Sequence, residues 1–275
     1  KLQMNEETLW SGGPHDYNNA GAADYLQTVR DLIFGGSIEE AQQVFSDRMR
    51  GNPYCLQAYV PFCNLLLDFP GHDEVESYYR ELDIESAVST VRYQANGVAY
   101  TREMFCSYPD QAIIIRISAS ERNRINVDAS LETVHPDASA NITGDRHLIL
   151  NGRAGKREGN KRSWIAGWDG PGVRFEARLA AIPEGGSVLE LGRKLAVRDA
   201  DAVIFILSGA TSFVNYKNID GNPSEKNDRF LAGLEGRSYE ELVARHLADY
   251  SKLYQRVRID LGDKHGNDMP TDRRI

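Results

Sequence analysis

The densest group of residues able to bind or orient a hydroxylated ligand stands at the start of the chain, in Asn5-Glu6-Glu7-Thr8-Leu9-Trp10-Ser11-Gly12-Gly13-Pro14. Two carboxylates, an amide, hydroxyls and an indole lead into a Ser-Gly-Gly-Pro turn, which reads as a shaped loop rather than a strand or a helix. Glu6 and Glu7 are adjacent, so in extended backbone they point to opposite sides. They cannot together form the acid and base pair of a glycosidase, whose carboxyl groups face each other across a bond at roughly 5–10 Å. Either one could still accept from a ligand hydroxyl or fix the loop. Trp10 has two readings, as a core or interdomain plug and as a platform for the apolar face of a sugar ring. Asn5, Glu6, Trp10 and Ser11 are therefore the candidate residues for substrate binding or interdomain contact.

Elsewhere the chemistry is thinner. No Gly-x-Ser-x-Gly elbow is present, and the six histidines, at 15, 72, 135, 147, 246 and 265, are scattered singly as surface or core residues. Gly152-x-x-Gly155 and Gly159 lack the strand-turn-helix setting of a nucleotide loop. Cys55, Cys63 and Cys106 are odd in number and widely spaced, so they read as small core residues, with neither a disulfide framework nor a metal site implied. No catalytic residue, cofactor or metal ligand is assigned. Trp164 and Trp168 read as core residues on one face of a strand, and Asn141-Ile142-Thr143 fits a glycosylation acceptor.

The elements that must position these groups are mostly strands. After the opening loop, helical patterns run from Ala22 to Phe34, with Tyr25, Val29, Leu32 and Ile33 on one face, and from Ser37 to Met49, entered by a Ser37/Glu40 capping box. From Phe62 the period changes to two. Strands are predicted at 65–69, 77–82, 90–94, 98–105, 112–117, 125–131, 147–150, 163–168, 173–180, 187–191, 194–197 and 202–208, with Asn96-Gly97 as a two-residue hairpin turn. So many short strands without intervening helices point to a mainly β protein, a large antiparallel β-sandwich. Tyr216 to Asp228 reads as a polar connection. A long helix follows from Arg237 to Arg256, with Ser238 and Glu241 at capping-box spacing and an apolar stripe of Leu242, His246, Leu247, Tyr250, Leu253 and Tyr254.

A formal charge of -8 and a pI near 5.3 exclude a polyanion-binding surface, so nucleic acid is not an expected partner. The basic run from Arg153 to Arg162 is Gly-rich and aperiodic, a solvated loop. No apolar run approaches the roughly 20 residues of a membrane helix.

Leu2 to Pro14, Asp16-Tyr17-Asn18-Asn19, Tyr79-Arg80-Glu81-Leu82-Asp83-Ile84-Glu85-Ser86-Ala87, Gly97-Val98-Ala99-Tyr100-Thr101-Arg102-Glu103-Met104-Phe105 and Ser107-Tyr108-Pro109-Asp110-Gln111 together resemble the amino-terminal domain of glycoside hydrolase family 95. The resemblance implies a galactose-mutarotase-like β-supersandwich over residues 1–236. A helical linker over 237–275 would lead to an (α/α)6 barrel that carries the catalytic residues. It implies a parent enzyme that removes terminal α-L-fucose from glycans with inversion, some relatives preferring L-galactose, and partners that are the chain's own barrel and the glycan. It also implies a strand hairpin ahead of Leu2, and a segment that is inactive by itself. The chain departs from the pattern at Cys63-Asn64, where relatives show Gly-Asp. A freestanding carbohydrate-binding or scaffold module is the competing expectation.

Overall fold

The computed structural model describes residues 1–51, 57–143, 147–154, 172–259, 262 and 269–274. The expected strand over 163–168 with Trp164 and Trp168, most of the basic run, Cys55 and His265 lie outside the described residues.

Thirteen strands are described: β1 (Leu2–Met4), β2 (Cys63–Asp68), β3 (Glu76–Asp83), β4 (Val88–Ala95), β5 (Val98–Ser107), β6 (Ala112–Ala119), β7 (Ile125–Glu132), β8 (Ser139–Thr143), β9 (His147–Arg153), β10 (Arg174–Glu184), β11 (Ser187–Leu191), β12 (Lys194–Ala200) and β13 (Ala202–Thr211). They form two antiparallel sheets, one in the order β1-β2-β7-β12-β11 and one in the order β3-β4-β5-β6-β13-β10-β9-β8. The expected mainly β sandwich is what forms. Strict alternation builds the core: Ile125, Val127, Ala129 and Leu131 of β7 face inward from the small sheet, and Val203, Phe205 and Leu207 of β13 face them from the large one. The Asn96-Gly97 hairpin joins β4 to β5 with φ of 51° and 78°, the left-handed backbone that such a two-residue turn requires.

Five α-helices are described, α1 (Leu26–Phe34), α2 (Ile38–Arg48), α3 (Pro223–Ala232), α4 (Tyr239–Tyr254) and α5 (Thr271–Arg274), with a 3-10 turn (Ala22–Tyr25) leading into α1. Helix α4 carries the expected capping box, with Ser238 and Glu241 bonding each other's backbone N–H at 3.2 and 2.9 Å. Its stripe reaches the sheet only in part, since Leu242 and His246 are buried but Leu253 is largely exposed. Leu242 joins Phe105, Ile114, Ile204 and Ile206 in a second core on the outer face of the large sheet.

Three expectations need correction, and one strand was not foreseen. The Ser37/Glu40 box is not made, because Ser37 N–H bonds Leu32 O and Gly36 N–H bonds Ile33 O, with Gly36 at φ 84°. That is a Schellman closure of α1, and it commits the N–H that a capping box would use. The connection over 216–228 is not polar loop throughout, since α3 starts at Pro223, capped by Asn222 Oδ1 accepting from Ser224 and Glu225 N–H. Asn141 and Thr143 lie on the unforeseen β8, an edge strand paired with β9. Among the cysteines, Cys63 is buried in the core but Cys106 is exposed.

Candidate functional site

The opening loop is fastened from both sides. Strand β1 pairs with β2, and Leu9, fully buried, pins the turn to the core. Beyond it the chain runs against 58–62: Ser11 N–H donates to Ala58 O at 2.8 Å, Ala58 N–H donates back to Ser11 Oγ at 2.9 Å, and Val60 N–H donates to Leu9 O at 3.3 Å. Ser11 is thus buried and fastens the loop, its Oγ accepting from Ala58 N–H. Gly12 follows at φ 80°, a left-handed backbone that favours glycine, and a Cβ there would displace the Gln57 amide, 2.4 Å away.

This frame holds Trp10 at the surface, 40% exposed, which removes the core-plug reading. Its Nε1 donates to Glu7 O at 3.0 Å and its ring sits 5.2 Å from Tyr59. With its polar edge satisfied and its ring fixed, the indole presents an apolar face. Beside it opens a cleft of about 420 Å³ whose walls include Trp10, Tyr17, Gln57, Phe213, Tyr216 and Ile219. Gln57 Oε1 is buried there without a hydrogen-bond partner.

Asn5 and Glu6 face another way. Glu6 accepts from Thr8 N–H at 2.8 Å and from Thr8 Oγ1 at 2.9 Å, and Thr8 Oγ1 in turn contacts Thr211 Oγ1. Burial raises the Glu6 carboxyl above its usual value against the opposing pull of those Thr8 bonds. Asn5 and Glu6 border a cavity of about 350 Å³ with Cys106, Tyr108, Gln111 and Ser208. A neighbouring hollow of about 350 Å³ shares Glu6, Gln111 and Gly209 and runs on to Lys226 and Arg229 of α3.

The four candidate residues therefore divide: Trp10 and Ser11 line the aromatic cleft, Asn5 and Glu6 the cavity on the other side of the loop. Sequence reasoning missed Gln57, Phe213, Tyr216, Gln111 and Ser208, which arrive from distant turns and strand ends and carry no local motif. Neither cleft holds a facing pair of carboxylates, and among the described residues no group of three or more His, Cys, Asp or Glu could hold a metal ion.

The surface beside the loop is also unusual. Helices α1 and α2 contribute a single buried residue, Ala41, and leave Leu26, Ile33, Phe34, Ile38 and Phe45 exposed, Phe34 at 88%. Of the expected apolar face, Tyr25, Val29 and Leu32 are half-buried and Ile33 is exposed, so most of the exposed apolar side chains lie outside it.

The class of protein that this fold defines is a two-sheet antiparallel sandwich, and comparison with known proteins gives its family. The profile of "Glycosyl hydrolase family 65, N-terminal domain" matches residues 1–216, and the chain belongs to this family. It is 31% identical to alpha-L-fucosidase 2 of Arabidopsis thaliana over 97% of this chain and 33% of that protein. It is 24% identical to the probable alpha-fucosidase A of Aspergillus oryzae and to that of Aspergillus niger, over 96% and 98% of this chain and 36% and 34% of those proteins. Recognition as a glycoside hydrolase N-terminal domain holds; the fucosidase relatives agree with the family 95 blocks, and the family 65 profile covers the same stretch. The chain spans about a third of the length of these curated relatives.

Proposed function

We propose that the chain is the non-catalytic N-terminal domain of a glycoside hydrolase that releases terminal α-L-fucose from glycans with inversion. The general acid and the water-positioning groups then belong to an (α/α)6 barrel beyond the linker over 237–275, and the sandwich proper spans 1–236. The observation that carries this reading is the set of exposed apolar side chains on α1 and α2, Leu26, Ile33, Phe34, Ile38 and Phe45, next in the chain to the reinforced loop. Clustered apolar side chains at a surface mark a contact with other polypeptide, and the barrel is the occupant that relatives about three times as long suggest.

In this arrangement the hairpin docks on the barrel, while Trp10 and the aromatic cleft face the interdomain seam or the glycan. The alternative substrate is a terminal α-L-galactoside, distinguished only at the sugar's C5 substituent. A freestanding carbohydrate-binding module is the second reading, favoured by the fixed, exposed indole of Trp10.

The test is to express the longer gene and follow an aryl α-L-fucoside by proton NMR. Release of β-L-fucose as the first-formed anomer is expected, with slower turnover of the α-L-galactoside. A well-folded product that turns over neither defeats the proposal in favour of the binding module.

A further inference from the structure

The segment between β2 and β3 crosses from the small sheet to the outermost strand of the large one, and it is pinned to the β4–β5 hairpin on the way. Phe69-Pro70-Gly71-His72 forms a tight turn, with His72 N–H donating to Phe69 O at 3.2 Å and Gly71 at φ 81°, the left-handed position that such a proline-glycine turn requires. Two side chains hold the turn down. Asn96 Nδ2, from the hairpin tip, donates to Gly71 O at 3.0 Å, and the His72 ring lies against those of Tyr100, Phe69 and Tyr93, with centroids 4.4, 5.5 and 5.7 Å away.

The direction of one proton makes this contact conditional. Arg102 Nη2, which can only donate, gives a hydrogen bond to the Tyr93 hydroxyl oxygen at 2.6 Å, so the Tyr93 proton goes to His72 Nδ1, 2.9 Å away. Nδ1 is then an acceptor, and the neutral ring carries its proton on Nε2. An imidazolium is protonated at both nitrogens. It cannot accept from Tyr93, and it sets a second positive charge beside the Arg102 guanidinium, whose Cζ lies 3.8 Å from the centre of the Phe69 ring and 4.6 Å from that of Tyr93.

The charges around the ring act in the same sense. Burial holds the His72 imidazole below its usual value of 6.5, and the Arg102 charge adds to this against the opposing pull of Asp73 in the same segment. Tyr93 and Tyr100 are pushed up by burial and stay neutral. Glu121 and Arg124, paired at 2.7 Å, act on Tyr100 with opposite signs.

We propose that His72 is an acid-released latch: neutral, it ties the 69–72 turn to Tyr93 and so fastens the crossover into edge strand β3; protonated, it lets the turn go. Because the folded ring resists protonation, the latch's contribution to stability is fully present above about pH 6.5 and is lost as pH falls through the lower folded value. The device does not depend on the hydrolase reading.

Nitrogen-15 NMR and amide exchange on the 275-residue chain test it. At pH 8 His72 shows the Nε2–H tautomer, and it titrates with a midpoint below 6.5. Exchange over 69–76, divided by the intrinsic rate at each pH, rises severalfold from pH 7.5 to pH 5 while β7 and β13 stay protected. His72→Gln flattens that pH dependence, since an amide does not titrate there. Tyr93→Phe, which removes only the hydroxyl, raises the His72 midpoint and opens the turn at neutral pH. The proposal is overturned by a midpoint at or above 6.5, by an Nδ1–H tautomer, by exchange over 69–76 with the same pH profile in His72→Gln as in wild type, or by a Tyr93→Phe chain whose His72 titrates as in wild type.

Discussion

Helix α4 and the hairpin α1–α2 are both amphipathic in sequence, yet only α4, together with the polar α3, is fixed against the sandwich. Helix α3 is locked onto β10 by a buried polar network. Arg178 bonds Glu176 Oε1 at 2.6 Å, Ser224 Oγ at 2.6 Å and the Asp228 carboxylate, and Asn227 Nδ2 donates to Glu176 O and Oε1 at 3.0 and 3.1 Å. Helix α4 is set by Leu242 in the outer core, by His246 stacked 4.7 Å from Phe105, and by Arg245 on Asp110 at 2.8 Å. Among the described residues, α2 is tied to the opening segment by Asn19 Nδ2, which donates to Arg48 O and Arg50 O at 2.8 and 3.1 Å, but neither α1 nor α2 enters a core cluster of the sheets. Their sequence supplies the same kind of stripe, so what differs is the partner and not the helix. An amphipathic pattern says that a face will be covered; only the structure says whether this domain covers it.

That contrast can be broken by substitution. Arg178→Ala leaves the Glu176 carboxylate buried and uncompensated, and unfolding in denaturant should show a loss of about 3–5 kcal/mol. A value under about 1 kcal/mol would mean that α3 is as loosely held as α1. Leu242→Ala should lower stability by about 2–5 kcal/mol through the cavity it leaves under α4.

The same kind of truncation on the hairpin should behave otherwise. Phe34→Ser should stay within about 0.5 kcal/mol of wild type in this chain and improve its solubility. In the longer gene product it should lower thermal stability, and an equal effect in both proteins would refute docking of the hairpin on further polypeptide.

The smallest effect belongs to the loop between these regions. Burial raises the folded Glu6 pKa above 4.5, so folding favours its protonated form. The associated stability is fully present below about pH 4.5 and is lost as pH rises through the higher folded value. Thermal melts from pH 4 to 7 should therefore be flatter for Glu6→Gln than for wild type. Parallel curves would place the Glu6 carboxylate in solvent.

Much of the sandwich was legible because its signals are local. The alternation in β7 and β13, the Asn96-Gly97 turn and the Ser238/Glu241 box each need only a few neighbouring residues. Helix α3 had such a signal too, an Asn222-Pro223 start with Glu225 in the first turn, obscured by the polar residues around it. Ser37 misled because the preceding helix claims its N–H, a competition that residue types alone do not reveal. The division of strands between sheets was not legible, since β6 pairs with β13 and β7 with β12 across long separations. For the same reason the opening loop announced itself, while Gln57, Gln111, Ser208 and Tyr216, which complete its two clefts, did not.

The central claim is that these sheets position a catalytic machinery held on other polypeptide. Its most direct test is to incubate the purified 275-residue chain with an aryl α-L-fucoside beside the longer gene product at equal molarity. The chain alone should release no aryl alcohol above the buffer rate while the longer protein turns over steadily; sustained turnover by the chain alone would contradict it.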